Sequence, residues 1–426
     1  MNKIFTLFTL LFVFVSYIFA DCGNRYIDTT FPVKKYTDIQ YGFNFDSKNN
    51  PTNLLLDVYT PDPTIDNENK KPLIIFVHGG SFIGGDRNDQ GINQTAAYFA
   101  SLGYATANIE YRVQQTTIFN PILDFADYNN FYQAIIRGMH DVKAAIRFFK
   151  KDVVENGNSY GIDTNNIILY GSSAGAIISL HTVFLDDTSE MDFRFKPNFD
   201  VLGGLEGNSG NAGYSSNNVK TVISCSGALH DPNYLNNNAD INYIGFHNTI
   251  DFTVPYELGC FVTAACFLGY FYGDKPIYNN TVRLNMNSEF YPVEGYGHPV
   301  DQYADTATFR MIREKSKQFL YNIFCEEAIN DTTTVTAINK NTIKPLSVYP
   351  NPIVDKVNIQ LPNELLQKEV TLSYTDITGR VLNTTTRTIN SNIIALNVDF
   401  LAKGMYLLQV STQDDNTIYT TKLLKQ

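Results

Sequence analysis

The chain has 426 residues, 44% of them hydrophobic, with 43 acidic against 32 basic residues and a formal charge of −11. That apolar share suffices for a large core, which excludes a disordered or fibrous protein, and the length predicts two domains or more. The acidic balance argues against nucleic acid as a partner, but leaves the chemistry open because charge in a cleft can differ from the sum.

The opening residues MNKIFTLFTLLFVFVSYIFA place Lys3 ahead of an apolar run ending at Ala20, the layout of a secretory signal peptide. Residues 1–20 are therefore expected to lie outside the mature fold. A membrane anchor is the alternative, although the run is short for a spanning helix and no stop-transfer segment follows. Cys22 raises a lipoprotein reading, but Asp21 stands where a small residue is wanted. After Ala20 no stretch approaches roughly 18 consecutive apolar residues, so no transmembrane span is expected in the mature protein.

Export would place the five cysteines in a compartment where disulfides persist, and an odd number leaves at least one unpaired in a monomer. Cys225, within TVISCSGAL, reads as a buried strand thiol. Cys260 and Cys266 can be bridged only if ELGCFVTAACFLGYF is not regular helix, because six positions apart on a helix they face different directions. The cysteines lack the paired spacing with histidines that zinc uses. No metal and no cofactor is expected.

From about Tyr36 to Phe324 short apolar runs alternate with helical stretches. DIQYGFNF and NLLLDVYT predict an initial antiparallel pair, while PLIIFVHGG, YATANIEYR, NNIILYG, VKTVISCSG and INYIGFHN have the Ile- and Val-rich character of buried parallel strands. The alternation predicts an α/β fold, a mostly parallel sheet flanked by helices. Within YQAIIRGMHDVKAAIRFFKKDVVENG, the residues Ile135, Met139, Val142, Ile146 and Phe149 make one apolar helical stripe. Between Asp186 and Asn218 the Gly-, Asn- and Asp-rich sequence reads as an insertion, either a mobile cover beside the active site or a plain surface loop. Phe309, Ile312, Ser316, Phe319 and Ile323 predict a helix that closes the globular unit before Cys325. A catalytic domain over residues 21–328 is thus expected, followed by a polar linker over 329–345. From Leu346 to Gln426, KVNIQL, EVTLSYTDITGRVL, IIALNV, GMYLLQVST and YTTKLLK predict a small all-β sandwich.

The chemistry lies where the strand NNIILYG runs into Gly171-Ser172-Ser173-Ala174-Gly175 and a helix-forming AIISLHTVFL follows. This G-x-S-x-G, between a strand and a helix, holds a serine on a sharp strained turn, and small residues two positions either side let strand and helix approach closely. Ser173 is the expected nucleophile. Earlier in the chain PLIIFV ends in His78-Gly79-Gly80-Ser81-Phe82; Gly79 permits a turn, and the Gly80 and Ser81 amides, with that of Ala174, are the expected oxyanion hole. A serine hydroxyl needs a general base, and the base needs an acid to fix its tautomer. Of the six histidines, His78 belongs to the oxyanion turn, His140 and His181 to helices, and His230 and His247 precede the expected acid. His298, in the loop EGYGHPVD after the strand-like EFYPV, has the right order and setting. Asp251, in INYIGFHNTIDFTVPY at a strand's C-terminal end, is the expected acid, with Asp231 as fallback.

The motifs HGGSFIGGDRND, GSSAG, HNTIDFTVPY and GYGHPVD, in this order, make residues 36–324 resemble the carboxylesterase and lipase branch of the α/β-hydrolase superfamily. Ser81 stands where many relatives carry a third glycine, a change that leaves the backbone donor in place. Asp86-Arg87 and the helical Asp141 are similar to charged family positions that tie loops together, with a solvated surface role as the alternative. SVYPNP, DITGRVL, FLAKGMYLLQV and the terminal TKLLK resemble the C-terminal sorting domain of type IX secretion cargo in Bacteroidetes. That resemblance implies the type IX machinery as a partner and a secreted or cell-surface location; an ancillary carbohydrate-binding sandwich is the alternative, weakened by the absence of Trp.

The expected activity is hydrolysis of a carboxylic ester, small or polymer-linked, through an acyl-enzyme on Ser173. A peptidase of the prolyl-oligopeptidase kind shares fold and triad, but the N-terminal propeller that gates peptides is missing here. A catalytically silent hydrolase fold used for adhesion is the remaining rival, and neither the nucleophile nor the histidine is missing.

Overall fold

The Ile- and Val-rich runs become strands because each buries alternate side chains on opposite faces of one sheet. In the computed structural model, which describes residues 22–115, 127–191, 195–263, 265–301, 306–326, 342–376, 381–412 and 417–426, this sheet has eight strands. They are β1 (Val33–Phe45), β2 (Pro51–Pro61), β3 (Lys71–Val77), β4 (Ala105–Ile109), β5 (Ile162–Ser172), β6 (Val219–Cys225), β7 (Asn242–Ile250) and β8 (Ser288–Tyr296). Their spatial order is β1-β2-β4-β3-β5-β6-β7-β8. β1 and β2 pair antiparallel, as do β2 and β4, and every later pairing is parallel.

The helices are α1 (Gln90–Leu102), α2 (Tyr128–Glu155), α3 (Ala174–Phe184), α4 (Lys196–Leu202), α5 (Asp274–Arg283) and α6 (Ala307–Tyr321). Leu73, Ile75 and Val77 of β3 point into the core that also holds Ile135, Met139, Val142, Ile146 and Phe149 of α2. The alternate residues Ile74 and Phe76 point into a second core with Phe99 of α1 and with Ile312 and Phe319 of α6. The predicted helical stripes are thus the faces that cover the sheet on its two sides. Asp89 starts α1 by accepting hydrogen bonds from the Gly91 and Ile92 amides, and Asp127 starts α2 by accepting one from that of Asn130.

The described part of the insertion over residues 186–218 includes the helix α4 and lies against α2. Phe195 and Phe199 are buried against α2, and the polar face of that helix grips the following chain. His140 bonds the Gly204 carbonyl at 2.6 Å, Lys143 donates to Leu205 O at 3.0 Å, and Arg147 donates to Gly210 O at 3.0 Å. The segment ends with Asn218 bonded to Thr164 O, near the start of β5 and away from Ser173. Weak hydrophobic periodicity concealed this, because the segment is held by hydrogen bonds to carbonyls and not by an apolar stripe.

Charged residues whose sequence setting fitted a solvated surface equally well prove to be internal ties. Asp141 is fully buried and accepts from the Arg112 amide at 2.8 Å, from its guanidinium Nη2 at 2.8 Å and from Ser209 Oγ at 2.6 Å. Arg87 is buried among Asp57 at 3.0 Å, Glu110 at 2.6 Å and Asp38. Asp86 remains exposed. Cys22 is bridged to Cys325 across a separation of 303 residues, Cys260 is bridged to Cys266 at the start of a short 3₁₀ turn, and Cys225 is the buried free thiol. No helix among the described residues is long and apolar enough to cross a membrane. Residues 1–20 lie outside the described residues.

Residues 331–426 form a separate compact unit. One sheet joins Thr342–Pro345, Thr417–Lys425, Gly404–Thr412, Glu369–Asp376 and Val381–Thr388; the other joins Ser347–Tyr349, Lys356–Gln360 and Ile393–Asn397. Leu372, Leu408 and Val410 of the first share a core with Val357 and Ile359 of the second, which makes the unit a sandwich. Thr342–Pro345, expected to be linker, is instead an edge strand running parallel to Thr417–Thr420; its polar sequence carries no alternation because an edge strand is held by backbone pairing. The rest of the expected linker, residues 329–341, lies outside the described residues.

Replacing Asp141 by Asn would leave the Arg112 guanidinium buried without its counter-charge. A loss of about 3–5 kcal/mol is expected, read as a fall in the urea midpoint with the slope unchanged.

Candidate active site

At the junction of β5 and α3 Ser173 has φ 52° and ψ −117°, a backbone conformation that costs a residue other than glycine about 1–3 kcal/mol. The close packing around it explains why the flanking residues are glycines. A Cβ on Gly171 would lie 2.4 Å from the Ala176 Cα, and one on Gly175 would lie 2.0 Å from the Val77 carbonyl oxygen. The Ser173 amide donates to Cys225 O at 2.8 Å, which fastens the turn to the end of β6.

The turn after β3 abuts this serine. Gly80 has φ 120°, Ser81 53° and Phe82 63°, and the Gly80 carbonyl accepts from the Ile83 and Gly84 amides at 3.0 and 2.9 Å. A Cβ added to Gly79 would come within 3.3 Å of the Ser173 Cβ, so the two turns are in van der Waals contact. Ala174 is the first residue of α3, where amides have no partner within the helix and carry its partial positive charge. Phe82 is buried and packs edge-on against Phe131, while Gly80 and Ser81 face solvent.

Ser173 Oγ lies 2.7 Å from His298 Nε2, and His298 Nδ1 lies 2.6 Å from Asp251 Oδ2. A carboxylate only accepts, so Nδ1 carries the hydrogen and Nε2 offers its lone pair to the hydroxyl. Asp251 sits just past the end of β7, and its Oδ1 also accepts from the Thr253 and Val254 amides at 2.8 and 3.0 Å. Burial pushes the Asp251 carboxyl up, but hydrogen bonds from His247 and His298 outweigh that and hold it well below the usual carboxylate range. Its contribution to stability is therefore present above its unfolded-state value and is lost only as pH falls through the depressed folded one. The loop that presents His298 is secured by the Val300 amide, which donates to Ser226 Oγ at 3.0 Å.

The sequence motifs thus bring Ser173, Asp251, His298, Gly79, Gly80, Ser81 and Ala174 to one rim of the sheet. The other candidates are occupied elsewhere. His78 bonds the Gly79 carbonyl and stacks on Tyr111, and His181 bonds Ile177 O within α3. Asp231 starts a 3₁₀ turn by accepting from the Asn233 amide. Among the described residues no cluster of His, Cys, Asp or Glu is arranged to hold a metal ion.

Sequence reasoning passed over two neighbours of this site. Asp301, in the same loop as His298, accepts from Ser172 Oγ at 2.7 Å; burial raises its carboxyl to about 6. His247 is wholly buried between Asp251 and Asp274. Its position four residues before the acid was visible, yet nothing local indicated that Asp274, at the start of α5, would face it.

Comparison with known proteins gives two family matches: BD-FAE over residues 56–243 and a secretion system C-terminal sorting domain over residues 347–426. The chain is 28% identical to mouse (Mus musculus) carboxylesterase 3B over 160 residues, which is 37% of this chain and 25% of that protein. It is 33% identical to gut esterase 1 of Caenorhabditis briggsae over 109 residues, 26% of this chain and 17% of the relative. These matches span a quarter or less of the relatives' own lengths. Thermogutta terrifontis esterase 2 phosphorylated by paraoxon aligns with a TM-score of 0.47 at 19% identity, covering 69% of this chain and 95% of that one. The first unit is thus similar to the BD-FAE family over most of its sheet. The second is similar to the secretion system C-terminal sorting domain.

The clearance around each glycine makes the turn testable. Gly175→Ala should cost about 3 kcal/mol or more, because its Cβ would meet backbone that cannot move aside. Gly84→Ala, whose Cβ has no neighbour nearer than 3.9 Å, should cost less than about 1 kcal/mol. Urea unfolding of the two variants beside the parent measures the contrast.

Proposed function

We propose that residues 21–328 form a secreted serine hydrolase that cleaves carboxylic esters through an acyl-enzyme. The observation that carries this reading is the continuous hydrogen-bonded chain from Ser173 Oγ through His298 to Asp251, at 2.7 and 2.6 Å. The esterase names of the relatives over the matched segment support the ester as substrate class.

In this reading Ser173 Oγ attacks the ester carbonyl carbon as its proton passes to His298 Nε2. The carbonyl oxygen becomes an oxyanion that accepts hydrogen bonds from the Gly80, Ser81 and Ala174 amides, donors fixed before the reaction and so needing no reorganisation. As the tetrahedral intermediate collapses, His298 returns the proton to the departing alcohol, leaving the acyl group on Ser173. A water molecule, deprotonated by His298, then attacks the acyl carbon and releases the acid. Asp251 accepts the Nδ1 hydrogen throughout and favours the imidazolium that forms in each step.

A folded Ser173→Ala variant should lose short-chain aryl ester hydrolysis by about 10⁴-fold or more, and Asp251→Asn by a similar factor because it presents the wrong imidazole tautomer. A fluorophosphonate probe should label the parent and not Ser173→Ala. Equal turnover by Ser173→Ala and parent would refute the assignment.

The sorting domain supports export through the type IX machinery, with the mature enzyme released or held at the cell surface. Deleting residues 346–426 in a host that carries this machinery should trap active hydrolase inside the cell envelope. Unchanged activity in the culture fluid and on intact cells would exclude a sorting role for the tail.

A further inference from the structure

His247 takes no part in the steps above, yet it is wholly buried, and its ring nitrogens meet acceptors. Nδ1 lies 2.8 Å from Asp274 Oδ2. Nε2 lies 3.3 Å from Asp251 Oδ2 and 3.3 Å from the Val254 carbonyl. Asp274 accepts from Ser224 Oγ at 2.6 Å, Tyr243 OH at 2.8 Å and the Gly227 amide at 2.8 Å, and Asp251 accepts from the Thr253 and Val254 amides and from His298. An imidazole with acceptors on both nitrogens satisfies them only when both carry hydrogen.

We propose that His247 is a positioning residue held as an imidazolium between Asp274 and Asp251, where it orients the Asp251 carboxylate and moderates the basicity of His298. This role rests on the serine hydrolase reading. Its basis is the sharing of one oxygen: Asp251 Oδ2 serves both His298 Nδ1 and His247 Nε2. The cation on one side of the carboxylate offsets the field that this carboxylate exerts on His298, and so makes the catalytic imidazole easier to deprotonate.

The chemistry of the surroundings agrees. Burial by itself would lower the His247 imidazole, but the hydrogen bonds to Asp251 and Asp274 outweigh it and bring the group up to about 9. With the folded value above that of the unfolded chain, its stabilising contribution is complete below about pH 6.5 and declines as pH rises toward about 9. The groups facing it are Asp274 from α5, Asp251 and Tyr256 from the segment after β7, and Tyr243 from β7 by way of Asp274; His298 lies across the shared carboxylate. Asp301 also acts on His298 and stays constant in a comparison that changes residue 247 alone.

His247→Gln keeps an N–H donor for Asp251 and removes the charge. In the full chain, the rate of fluorophosphonate labelling measured against pH should show its acid limb moved upward by about one pH unit, with the plateau at high pH within a few-fold of the parent. A limb that stays in place, or moves down, would overturn the proposal; a lowered plateau with an unmoved limb would mark His247 as merely structural. Should the variant fail to fold, nitrogen-15 spectra of histidine-labelled parent protein decide the matter. One imidazole protonated on both nitrogens at pH 8, with correlations to the His247 position, is expected, and a neutral His247 at that pH sinks the idea. A parent that fails to react with the probe at any pH would instead refute the underlying hydrolase reading.

Discussion

The close approach of α3 to the ends of β3 and β5 governs the geometry of the rim. Without side chains at Gly171 and Gly175 the helix begins against the strand carbonyls, and the residue between them is driven to positive φ. Ser81, Phe82 and Ser226 share that unusual backbone with Ser173, and all lie just past the ends of β3, β5 and β6. Each such residue costs free energy that the two buried cores offset, since strain persists only where surrounding packing over-determines it. Strain is thereby gathered at the C-terminal edge of the parallel strands, where side chains of open α/β sheets converge.

Fixing the rim in this way requires that the loops behind it do not drift, and buried charge serves that end. Arg112 ties β4's trailing loop to α2 and to residue 209, and Arg87 ties the loop after β3 to β1, β2 and residue 110. Asp274 joins β6, the turn after it, β7 and α5 through a single carboxylate. Such pairs add little net stability relative to apolar packing, because taking charge out of water is costly. They specify position, since each planar group is satisfied in one arrangement only.

The C-terminal unit follows a different logic. It has no buried ionic cluster of that kind among its described residues, and its core is formed by alternate apolar residues of two small sheets. One edge is closed by Thr342–Pro345 in parallel pairing, which limits the open backbone that an edge strand would otherwise present.

The primary sequence by itself determined the elements: strand runs with period two, helical stripes with period near 3.6, and the strand–GSSAG–helix junction, all of which are local patterns that burial on a face imposes. It also narrowed the candidate catalytic groups, because chain order and loop setting favoured His298 among the histidines and Asp251 over the fallback Asp231. What only the tertiary structure decided is which distant groups meet. Ser173 and His298 are 125 positions apart, and His298 and Asp251 are 47 apart, so no spacing rule could specify their contact. For the same reason Asp274 could not be paired with His247, nor Asp141 with Arg112, and the chain over residues 203–218 could not be placed along α2. Hydrogen bonds and ion pairs between remote segments leave no period in a sequence, whereas the burial of an apolar face does.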